Sequence, residues 1–72
     1  MAPYLIATAF TYDMTDAAGR VKTERGSYLG RTRASVRTLR TFLRTNDRIT
    51  GWGGRSRLRE IQGSYTSPWI AK

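Results

Sequence analysis

Arg33, Arg37, Arg40 and Arg44 recur at i, i+4, i+7 and i+11. On a helix of about 3.6 residues per turn they project within about 60° of one another. No Asp or Glu occurs between Glu24 and Asp47, so nothing on that segment neutralises them. Like charges one turn apart cost a helix roughly a few tenths of a kcal/mol per pair. A guanidinium presents a fixed two-pronged donor set that matches phosphate oxygens. The spacing therefore points to an anion-binding ridge, with phosphate the foremost ligand. The competing interpretation is a solvated basic face, paired with carboxylates from elsewhere in the fold. With 13 Lys plus Arg against 5 Asp plus Glu, most of these cations must stay unpaired within one chain. That shortage favours the ridge.

A second basic cluster is Arg55, Arg57 and Arg59, alternating with Ser56 and Leu58. Alternation puts three guanidiniums on one strand face. If Gly53-Gly54 closes a two-residue hairpin loop, Trp52 faces Arg55, Thr50 faces Arg57, Ile49 faces Leu58 and Arg48 faces Arg59. Arg48 and Trp52 would then join the cluster. Arginines beside an aromatic ring suit single-stranded nucleic acid, the charge for the backbone and the ring for a base. A charged edge strand that deters edge-to-edge aggregation needs the same residues. The third group is Tyr4, Phe10 and Tyr12, on one face of a first strand, with Tyr28 across from them. These rings form a stacking platform if they face outward and a core if the helix covers them. A small domain needs large residues inside, so Ile6 and Phe10 are expected to be core.

Several chemistries are excluded by composition. The chain has no Cys and no His, so thiol nucleophiles, thiolate zinc sites, Ser-His triads and imidazole ligands are absent. Asp13, Asp16, Glu24, Asp47 and Glu60 are scattered, which gives general acid–base catalysis and metal binding no placed group. Gly51-Trp52-Gly53-Gly54 lacks the Gly-Lys-Ser/Thr ending of a phosphate-binding loop and reads as a turn. The expectation is a protein without enzymatic activity, metal or cofactor.

The positioning elements follow from periodicity. Residues 4–13 alternate: Tyr4, Ile6, Thr8, Phe10 and Tyr12 on one face, Leu5, Ala7, Ala9 and Thr11 on the other. Thr15 to Gly19 supplies a turn with Gly19 at its left-handed position, and residues 20–29 return as an antiparallel strand that ends at Gly30. Thr32 is a good N-cap for a helix over 33–45, with Val36, Leu39, Phe42 and Leu43 as its buried stripe. Asn46-Asp47 reads as the helix exit. Residues 48–62 form the second hairpin or, alternatively, one strand over 55–62 after a glycine-rich loop. Ser64 to Lys72 reads as a tail in which Trp69 is a lid on the core. The whole is one domain over 1–72, a small α+β fold with one helix packed on one face of an antiparallel sheet. At 72 residues and without disulfides, its stability must come from packing or from a partner. The apolar start is too short to span a membrane or to serve as a signal peptide, so a cytoplasmic protein without membrane contact is expected.

This order over Tyr4 to Ile61 resembles very small proteins of phages and mobile elements, including some anti-CRISPR proteins. In them a hairpin leads to a helix that opens at a Thr and then to a returning strand. Here Gly26-Ser27-Tyr28-Leu29-Gly30-Arg31-Thr32 is the strand-to-helix junction. The resemblance is architectural and carries over no functional residue. It implies an inhibitor acting in a bacterial host on a nucleic-acid-handling complex. A net charge of +8 rules out mimicry of DNA, so such an inhibitor would dock on an acidic protein surface. The charge pattern itself points first to nucleic acid as the partner. A structural subunit of a ribonucleoprotein or virion is the third option. The residues expected to make the contact are Arg33, Arg37, Arg40, Arg44, Arg48, Trp52, Arg55, Arg57 and Arg59.

Overall fold

The computed structural model describes residues 5–67. Strand β1 runs Leu5–Thr15, β2 Val21–Gly30 and β3 Arg55–Ser67, with one helix, α1, over Val36–Thr50. The sheet is antiparallel in the order β2-β1-β3, so the first strand is central and both others are edges. The β1–β2 turn forms as its residues dictate. Asp16 Oδ1 accepts from the Ala18 and Arg20 N–H groups, and Gly19 takes φ 85°. In β1 against β3 the register shifts twice, between Ala9 and Phe10 and between Thr11 and Tyr12. Gln62 and Arg59 are the extra residues of β3 at those bulges.

Phe10 decides which face is covered. Its ring is buried with Ala34, Leu39 and Leu43, and Tyr12, Tyr28, Leu58 and Ile61 pack around this cluster. The ring lies over Gly26, where a Cβ would come within 2.7 Å of Phe10 Cζ. Gly26 is thus a clearance for the largest core side chain rather than a strand breaker. The opposite sheet face carries Leu29, Tyr65 and the arginines of β3, with no described element over it.

Both ends of α1 are tied to the sheet. Thr8, fully buried in β1, accepts through Oγ1 from the Ala34 N–H at 2.9 Å. That bond holds residues 33 and 34 outside the helix, and Ser35 becomes the N-cap, accepting from the Thr38 N–H at 3.2 Å. At the other end Gly51 closes the helix in the left-handed conformation, φ 60°, with its N–H on the Asp47 carbonyl at 3.0 Å. Ser56, which bonds to Asp47, pairs across the sheet with Met14. The six steps of strand from Thr8 to Met14 rise about 20 Å. The eleven helical steps from Val36 to Asp47 rise about 16 Å, and the two extended steps from Ala34 add about 6 Å. The helix fits the distance between its two anchors.

Several expectations are corrected here. The helix spans Val36–Thr50 rather than 33–45 and is capped by Ser35 rather than Thr32, because Ala34 is bonded to the sheet. Asn46-Asp47 lies inside it. There is no hairpin over 48–62: Arg48, Ile49 and Thr50 are helical, and Ile49 is 77% exposed instead of meeting Leu58. The glycines expected to turn a hairpin instead end the helix and turn the loop, with Gly51 and Gly53 at positive φ. The alternative of one strand after a glycine-rich loop holds, but that strand continues to Ser67 and takes in the first residues of the expected tail. Finally, Val36 is 43% and Phe42 37% exposed, so of the expected stripe only Leu39 and Leu43 are buried. Tyr4 and Trp69 lie outside the described residues.

Leu39 is wholly buried between α1 and Phe10. Leu39→Ala is expected to cost about 2–5 kcal/mol, the range for a truncated core leucine. Denaturant unfolding followed by circular dichroism measures it. A loss below about 1 kcal/mol would contradict the packing described.

Candidate functional site

Leu39 and Leu43 turn one side of α1 to the sheet. At about 100° per residue, Arg37, Arg40, Arg44 and Arg48 then fall on one flank, within about 80° of one another. All four are exposed. Arg33 precedes the helix, so Arg48 replaces it as a member of the ridge. α1 packs chiefly against β3, which brings this flank over the start of that strand. A groove of about 390 Å³ opens between the two. Arg40 and Arg44 border it on the helix, with Leu43, Leu58, Asp47 and Ser56 on its floor, and the edge strand borders it at Arg55 and Arg57, whose side chains alternate toward the far face of the sheet.

The groove is held in shape by Asp47. Its Oδ1 accepts from the Trp52 indole N–H at 3.0 Å and the Ser56 hydroxyl at 2.7 Å, and its Oδ2 from the Ser56 N–H at 2.7 Å. Burial of this carboxyl pushes its pKa up. The hydrogen bonds from the Ser56 side chain, the Ser56 backbone and the Trp52 indole outweigh burial, and the net result is a pKa below the ordinary aspartate value. Every donor to it is neutral, so the one carboxylate in the groove is occupied without engaging an arginine. The ion pairs among the described residues are Arg20–Asp16, Lys22–Glu24 and Arg59–Asp13. None involves Arg37, Arg40, Arg44, Arg48, Arg55 or Arg57.

The expected cluster is therefore partly assembled. Arg40, Arg44, Arg55 and Arg57 all border the groove, the last two along the edge strand, while Arg37 and Arg48 continue the ridge along the helix. Arg59 sits at a bulge and pairs with Asp13 at 3.6 Å. Trp52 does not face Arg55 as a stacking ring. Its N–H is committed to Asp47, and its ring covers Gly54, where a Cβ would overlap the indole and the Thr15 carbonyl oxygen. Asp47 and Ser56 escaped the sequence reading. An Asp near a helix end looks like turn chemistry, and no spacing rule links it to a serine nine residues on.

Among the described residues no cluster of three or more acidic side chains could hold a metal ion, and no helix is long and apolar enough to cross a membrane. No protein-family model, curated protein or solved structure matches the chain. The fold and the groove define a small α+β domain with a basic groove between its helix and an edge strand.

Because the folded pKa of Asp47 lies below its unfolded value, the ionised carboxylate stabilises the native state above the ordinary aspartate pKa, about 3.9. That stabilisation is lost as the pH falls from there toward the lower folded pKa. Asp47→Asn is expected to lower stability at neutral pH by about 1–3 kcal/mol, since charge-assisted bonds are replaced by weaker ones. It should also flatten the acid limb below about pH 4. Urea midpoints for both proteins across that range check this. Parallel pH profiles would contradict the role given to the carboxylate.

Proposed function

We propose that this protein is a non-catalytic nucleic-acid-binding protein that grips the phosphate backbone along α1 and the start of β3. The observation that carries the reading is the set of six exposed arginines, free of ion pairs among the described residues, four of them bordering one groove. Unpaired like charges along the ridge repel, and an anion placed among them removes that cost. Phosphate fits the geometry of the guanidinium fork and is repeated along a nucleic acid, as the arginines are repeated along the helix. Such contacts carry no sequence information, so binding is expected to be weakly specific.

The carboxylates support a non-enzymatic role because four of the five already have structural work. Asp16 closes the β1–β2 turn, and Asp13 joins Thr23 to Arg59. Glu24 pairs with Lys22, and Asp47 holds the groove. The acidic-surface inhibitor uses the same arginines, and its partner would be a protein.

Each phosphate contacted should contribute a slope of about −0.9 to log affinity against log salt on a duplex. The double variant Arg40→Gln/Arg44→Gln should flatten that slope by up to about two units. The fold should persist, because both side chains are exposed and their removal relieves a like-charge i, i+4 pair. Titrations of one short duplex at several salt concentrations give the answer. An unchanged slope and affinity in the folded variant would end the phosphate reading. If wild-type protein instead binds nucleic acid feebly, and the variant loses a protein partner retained after nuclease treatment, the inhibitor reading replaces it.

A further inference from the structure

The other flank of α1 is chemically different. Thr38, Thr41, Phe42 and Thr45 lie there, and with Tyr28 of β2 and Arg37 they line a second groove of about 480 Å³. That volume is within the range of small-molecule pockets. Phe42 is 37% exposed although it touches the core, meeting Tyr28 edge-on at 5.3 Å and Phe10 edge-on at 6.4 Å between centroids. These contacts orient the Phe42 ring. The hydroxyls of Thr41 and Thr45 have no hydrogen-bond partner among the described residues, whereas Thr38 is bonded to Ser35 at 3.1 Å. Threonine is a poor helix former, and nothing in the packing of α1 calls for Thr41 and Thr45 on an exposed flank.

We propose that this groove receives an unpaired base of single-stranded nucleic acid, stacked on Phe42 beside Tyr28 and hydrogen-bonded by Thr41 and Thr45. The proposal rests on the phosphate-binding reading and deepens it. Arg37 belongs to both surfaces: it lines the aromatic groove and begins the ridge that continues through Arg40 and Arg44. A backbone held on the ridge at Arg37 carries its base to the aromatic flank. Charge selects the occupant, because a neutral apolar ligand would leave Arg37 at the mouth of the groove unpartnered. A hydroxyl can donate or accept, so the two threonines suit the mixed donor and acceptor edge of a base. Bases paired inside a duplex cannot reach the ring, so the site discriminates single strands from duplexes without reading sequence.

The test uses a short single strand carrying one fluorescent adenine analogue, in deoxyribose and ribose forms, and the corresponding duplex. Wild-type protein should quench the analogue on stacking and bind one of the single strands at least about tenfold more tightly than the duplex. Phe42→Leu should reduce single-strand affinity roughly ten- to a hundredfold and abolish quenching, with duplex affinity and salt slope retained. Thr41→Val/Thr45→Val keeps side-chain shape, and should weaken the single strand several-fold without affecting the duplex. A folded Phe42→Leu protein with unchanged quenching and affinity overturns the base site. If that variant does not fold, an unchanged single-strand affinity in the threonine pair overturns it. Wild-type protein that binds duplex and single strand equally, without quenching, also removes the base site while leaving the backbone grip intact. Binding to neither removes the phosphate reading, and the base site with it.

Discussion

The Asp47 carboxylate is the point on which the arrangement turns. A helix and an edge strand joined by Gly51-Trp52-Gly53-Gly54 would have little to fix their relative position, because glycines impose no conformation of their own. One ionised side chain accepting from the Trp52 indole and twice from Ser56 sets where the helix ends and where β3 begins. Those two places are the lips of the basic groove. The carboxylate is also placed against the helix dipole, in the last turn, where a negative charge is unfavourable by roughly a few tenths of a kcal/mol. Hydrogen bonds to a charged acceptor are worth more than that, which explains why the placement is tolerated.

A core this small limits what the charge can do. Phe10, Leu39, Leu43 and Ala34 are the buried cluster, and the described molecule extends 45 Å along its longest axis. The helix covers about half of that length. A net charge of +8 on such a body works against compactness. Basic residues on an edge strand would by themselves be explained as protection against edge pairing, and Arg55 and Arg57 meet that need. The ridge on α1 is not at a sheet edge, so protection does not account for Arg37, Arg40, Arg44 and Arg48. Their presence without acidic neighbours is the part of the charge pattern that asks for a ligand.

How much of this was legible in the sequence depended on the range of the interactions involved. Alternation in β1 and β2, the turn at Gly19 and the buried face at Leu39 and Leu43 are local patterns, and the structure reproduces them. The α+β class with one helix on an antiparallel sheet was readable for the same reason. The helix start was not. Thr32 and Ser35 are equally good caps locally, and the choice is made by a bond from Ala34 to Thr8, 26 residues away. The second hairpin was a reasonable reading of Gly53-Gly54 and the Ile49/Leu58 match. It fails because Gly51 closes the helix and the clasp at Asp47 directs the chain to pair with β1 instead. Of the site, the arginine ridge was visible in its spacing. Trp52 was misjudged because an aromatic among arginines gives no sign that its N–H is already bonded.

The position of the helix across the sheet accounts for having two grooves rather than one. Its N-terminal approach is bonded to the central strand at Thr8 and its C-terminal turn to the edge strand at Ser56. It therefore packs chiefly on β3, and the sheet face above β2 is only partly covered. A helix centred over β1 would cover more of Phe42 and Tyr28 and move Arg40 and Arg44 away from the start of β3. Buried apolar area would rise, since Phe42 would lose its exposure. Stability alone would favour that arrangement by roughly 25 cal/mol for each Å² of ring removed from water. The clasp at Asp47 opposes it, at the cost of a partly uncovered aromatic ring. The same displacement that exposes Phe42 on one flank brings the arginines of α1 over the start of β3 on the other. The basic groove and the aromatic groove are two consequences of a single offset.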